Sequence, residues 1–176
     1  MKTLSVKEAS ILLGVDSLDA FVISASQRLQ KTIGPFAIPV DSGGKTSIAR
    51  HLADLLLQDS EFFIYIKGWM IWPSSENFDL FDGYRRSIGE HRPLWEAQVH
   101  LLAPGEQPAF VSILGMALYF VWDVEVFDAR GTTLLTFSHD EWMELRVDDA
   151  ARATGIEQGL AGFQLKRLAS GASLRK

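Results

Sequence analysis

The chain has 176 residues, a formal net charge of −5, a hydrophobic fraction of 47% and no cysteine. That length and composition suit one folded domain, and the missing cysteine excludes disulfides, a thiolate nucleophile and zinc sites with sulfur ligands. Acidic residues spread along the whole chain repel phosphate backbones, which argues against nucleic-acid binding.

Residues 1–169 are expected to form a single domain and 170–176 a frayed tail. Glu8 falls early in the N-terminal segment where a secretion signal would stay apolar, so the expected compartment is the cytoplasm. The longest apolar run, Phe110 to Trp122, reaches about 20 Å as a helix against roughly 30 Å of bilayer hydrocarbon. It reads as a central buried helix, with no membrane span.

In chain order, Ser5 and Glu8 make a capping box for a short helix ending near Gly14. Asp16 or Ser17 caps a second helix through about Gln30, with Leu18, Phe21, Val22, Ala25 and Leu29 on one face and Gly34-Pro35 as its stop. Phe36 to Val40 is a short edge or irregular strand because it contains Pro39. Asp41 to Gly44 is a turn, and a helix runs from Thr46 or Ser47 to about Gln58 with Ile48, Leu52, Leu55 and Leu56 inward.

Glu61 to Lys67 is apolar on both faces and predicts a central strand. Ser74 or Ser75 caps a helix carrying Phe78, Leu80, Phe81 and Tyr84, stopped by Pro93, and Trp95 to Leu102 is a further candidate strand. After the apolar helix, Val124–Phe127 and Thr132–Ser138 form a hairpin around Gly131. Trp142 to Val147 alternates as another strand, and Asp149 to Leu168 is a helix weakened by three glycines. Strands and helices do not alternate regularly, so the expected class is α+β: a small, mainly antiparallel sheet with helices packed mostly on one face.

Four constellations carry possible chemistry. Gly43-Gly44-Lys45-Thr46 resembles the end of a phosphate-binding loop, but Pro39 stands where that loop needs its first glycine. His139, Asp140 and Glu141 combine an imidazole with two carboxylates, a set suited to proton transfer or metal binding if the chain turns there. His51, His91 and His100 are the imidazoles that a fold would have to bring near them.

Trp69, Trp72, Tyr84, Arg85, Arg86, Arg92 and Trp95 are the residue types that dominate binding energy at protein interfaces. Finally, Asp123, Glu125, Asp128, Asp140, Glu141, Glu144, Asp148 and Asp149 gather around the hairpin as a possible acidic docking face. No metal or cofactor motif is legible.

These readings favour a non-enzymatic module that binds another protein through Trp69, Trp72, Tyr84, Arg85, Glu141 and Glu144. Its concrete form is a bacterial immunity or inhibitor-type protein that meets a basic partner. The alternative is a hydrolase or metal-dependent enzyme using His139 with Asp140 and Glu141. Neither reading calls for a cofactor, and oligomeric state is not legible.

Overall fold

The computed structural model describes residues 1–69 and 75–169. Its elements are β1 (Lys2–Leu4), α1 (Val6–Leu13), α2 (Leu18–Arg28), β2 (Lys31–Ala37), α3 (Ser42–Leu56), β3 (Phe62–Gly68), α4 (Ser75–Ser87), a 3₁₀ turn (Leu94–Glu96), β4 (Val99–Leu102), α5 (Gln107–Tyr119), β5 (Asp123–Asp128), β6 (Thr133–Ser138), β7 (Trp142–Val147) and α6 (Ala150–Ala161). The seven strands form one sheet in the order β1-β4-β3-β5-β6-β7-β2, and every pairing is antiparallel.

Local chemistry sets most boundaries. Ser5 and Glu8 close the capping box of α1, and Gly14 ends that helix in the left-handed region at φ 67°. Ser17 caps α2 and Asp149 caps α6, each accepting from a backbone N–H three residues on. The β5–β6 turn is held by Asp128, whose carboxylate accepts from the Thr132 and Thr133 amides and the Thr132 hydroxyl. Gly131 occupies the left-handed position in it at φ 62°.

Several expectations shift. Helix α2 ends at Arg28, and Gly34-Pro35 lies inside strand β2, an outermost strand where a missing N–H costs no ladder bond. Gly43-Gly44 is the first turn of α3 and not a loop before it, since Asp41 caps the helix. Lys2–Leu4 adds a strand too short for alternation to reveal, and the start of the Trp95–Leu102 stretch is a 3₁₀ turn. With β1, β2 and β4 joined, the sheet is wider than the hairpin and β3 alone.

The sheet carries two cores. On one face, helices α3, α5 and α6 with Phe81 of α4 pack against Phe62, Ile64 and Ile66 of β3 and Val124, Val126, Leu135, Phe137, Met143 and Leu145. On the other, α1 and α2 bury Ala9, Leu18, Val22, Ala25 and Leu29 against Phe63, Tyr65, Val99, Phe127 and Leu134. Four helices therefore sit on one face and two on the other, and β3 is apolar on both sides because both of its faces are covered.

Candidate functional site

The α1–α2 hairpin is too short to cover its face of the sheet. Strand register lines residues up in rows across that face. The first row is Phe63–Phe127–Leu134–Arg146, the second is Tyr65–Glu125–Thr136–Glu144, and the third brings Lys67 of β3 alongside Asp123, Ser138 and Trp142. The first row lies under α2. Moving along the strands, Phe63 and Phe127 are fully buried, the Glu125 side chain is 12% exposed, and Lys67 and Asp123 are about one third exposed at 35% and 33%. The face changes from apolar core to polar platform within four residues of each strand.

Ionic contacts knit that platform together. The Lys67 ammonium lies 3.8 Å from Asp19 of α2 and 3.9 Å from Glu125. The Thr136 hydroxyl donates to Glu125 at 2.7 Å. Arg146 donates to Glu144 at 2.6 Å and to the Ser26 carbonyl at the end of α2, also at 2.6 Å. Burial pushes the Glu125 carboxyl up from 4.5 to about 7; the Thr136 hydroxyl and the Lys67 charge only partly oppose it. Burial and neighbouring Asp19 push the Tyr65 phenol up to about 12, so Tyr65 stays a neutral donor.

At the margin of the platform the chain turns sharply from β6 to β7. The Ser138 carbonyl accepts from Glu141 N–H, and Glu141 takes the left-handed φ of 62° that the hairpin turn demands. The chain does turn there, in a β-turn. Its geometry brings His139 against Asp123: Nδ1 lies 2.9 Å from both carboxylate oxygens, and the His139 amide donates to Oδ1 at 2.9 Å. Nε2 sits 3.8 Å from Asp140. The Asp123 carboxylate fits because Gly68 faces it, where a Cβ would stand 2.6 Å from Oδ2. The carboxylate closest to the His139 ring belongs to Asp123 on another strand, which the reading of His139, Asp140 and Glu141 did not include.

The remaining sequence candidates scatter. His100 is fully buried in β4, where desolvation pushes it down to about 3, and His51, on α3, packs its ring against Phe163. Neither meets His139. Arg85 is 1% exposed, with Nη2 donating to the Ala97 carbonyl, so it is a core residue and cannot contact a partner. Trp69 and Tyr84 are half-buried against the larger core, while Trp72 lies outside the described residues. Among the described residues, Trp95 is the exposed tryptophan of that group, at 64%. Glu141 is exposed, but Glu144 is tied to Arg146 and 17% exposed.

The glycine-lysine motif has no room for phosphate at the helix start, because the Asp41 carboxylate already accepts from Gly44 N–H at 2.7 Å. Among the described residues, no three His, Asp or Glu side chains converge to hold a metal ion. Sequence reading missed Asp19, Tyr65, Lys67, Thr136 and Arg146 on the platform; Tyr65 read as core because its neighbours are apolar, and the others join it only through the fold. Comparison of the chain with protein families, curated proteins and solved structures finds no match.

Proposed function

We propose that this chain is a binding module whose polar platform, on the half of the sheet that α1 and α2 leave bare, docks a basic protein surface. The carrying observation is a charge imbalance on a rigid base. Asp19, Asp123, Asp140, Glu141 and Glu144 are set against the fixed cations Lys67 and Arg146, with Glu125 a further carboxyl on which burial holds a proton. Strand-borne side chains lose little freedom on binding, and complementary charge favours encounter and register. An inhibitor that neutralises a basic toxin is the concrete form of this reading.

The test uses the exposed turn carboxylates. A partner captured from native extract by the wild-type chain is expected to dissociate with rising salt and to be lost with Asp140→Lys/Glu141→Lys. Equal retention by the variant at every salt concentration would sink the reading. A second reading, proton transfer by His139, is favoured by the Asp123 carboxylate that orients its ring and the 40% exposure of its side chain. It requires an activity that His139→Asn removes and Glu141→Lys leaves intact.

A further inference from the structure

On the opposite side of the sheet, a groove of about 470 Å³ opens between the first turn of α3, helix α4 and the C-terminal half of α5. Leu80, Met116, Tyr119 and Phe120 form its apolar walls, and Lys45 and Thr46 stand at one end. Leu80 and Tyr119 are 57% and 61% exposed, an unusual outlay of apolar surface for two residues that share one concavity. The floor is Gly115, where an added Cβ would meet nothing within 4 Å. A mid-helix glycine weakens a helix by roughly 1 kcal/mol relative to alanine, and here its effect is to keep the groove deep.

Among the described residues that line this groove, the one charged side chain is Lys45. Lys45 is half-buried, its ammonium lies 5.9 Å from the centre of the Tyr119 ring, and among the described residues no carboxylate comes within 4 Å of it. The nearby helix-start amides cannot supply the anion site, since Asp41 caps them. We infer that the α3–α5 groove binds a small amphipathic carboxylate, with its hydrocarbon body along Leu80, Met116, Tyr119 and Phe120 and its carboxylate paired with Lys45. Pockets of this size, mostly apolar with one placed polar group, are what such ligands occupy, and charge complementarity selects the anionic head over a neutral or cationic one.

Titration calorimetry with sodium octanoate and with 1-octanol on the full chain tests this. Octanoate is expected to bind about fivefold more tightly than the alcohol, the scale of a partly exposed ion pair. Lys45→Gln is expected to erase that difference while leaving alcohol binding in place. Gly115→Leu, which adds a helix-favouring side chain into empty space, is expected to abolish both while keeping the wild-type circular dichroism and a melting temperature no lower than wild type. No heat with either compound, equal affinity for the two, or octanoate binding unchanged in Gly115→Leu overturns the assignment. So does a self-association that Gly115→Leu removes, which would make the groove an interface between two copies.

Discussion

Two glycines and one arginine show how much a single side chain decides. At Gly68 a methyl would collide with the Asp123 carboxylate, while at Gly83, in the interior of α4, it would meet nothing within 4 Å. Gly68→Ala is therefore expected to lower stability by about 1–3 kcal/mol, the usual range for overpacking. Gly83→Ala is expected to raise it by up to about 1 kcal/mol through helix propensity. Urea unfolding of the pair separates the two effects, and loss of the Asp123–His139 contact by NMR accompanies only the first. Arg85 runs the other way. Its guanidinium is buried, Nε and Nη1 find no hydrogen-bond partner among the described residues, and the Asp82 carboxylate lies 3.6 Å away. A buried charge so thinly compensated is costly, so Arg85→Met is expected to raise the urea midpoint, by about 1–2 kcal/mol in stability.

Elements record which parts of the fold short-range chemistry could specify. The α1 capping box, the left-handed Gly14, the Gly131 turn and the alternation of Trp142–Val147 are local, and the sequence predicts each within a residue or two. Strand β1 and the first part of β2 were illegible for a physical reason: three residues carry no period, and Pro35 reads as a breaker until an outermost position excuses it, so the expected Phe36–Val40 strand catches only the end of β2. The platform was half legible. His139, Asp140, Glu141 and Glu144 announce themselves by composition, whereas Tyr65, Lys67 and Arg146 join only through strand register, a property of pairs far apart in the chain. Glycines 43 and 44 look like a turn by propensity, yet Asp41 caps the helix ahead of them. Asp41→Ala is accordingly expected to cost about 1 kcal/mol in thermal unfolding, and neither the wild type nor the variant is expected to gain stability from added ATP.

Over the whole molecule, two carboxyls oppose one another across the pH scale. Arg92 holds Glu90 down at about 2 from 4.5, through hydrogen bonds from its guanidinium. That stabilisation is fully present above 4.5 and is lost as pH falls toward 2. Glu125 is raised from 4.5 to about 7, so the folded chain keeps a proton that the unfolded chain releases, and stability is lost as pH rises from 4.5 through 7. The Glu125 contribution amounts to roughly 3 kcal/mol at its limit. These two groups place maximal stability near pH 4.5, and Glu125→Gln is expected to flatten the alkaline limb, which unfolding curves collected from pH 4 to 9 would reveal. A basic partner that brings a cation to Glu125 should expel its proton, so binding near pH 6 is expected to release protons into the buffer.

The outer rim of β2 is occupied by the segment that follows α6: Ala37 N–H donates to the Lys166 carbonyl, Leu168 N–H donates to the Pro35 carbonyl, and the Arg167 guanidinium lies over the Phe36 ring. The opposite rim, β1, is only three residues long. Unpaired strand rims are templates on which chains add to one another, so this short strip governs how the protein keeps in concentrated solution. Replacing residues 163–168 by a glycine-serine linker of equal length should leave the strands folded but turn storage into a slow growth of scattering mass, steeper at each higher concentration.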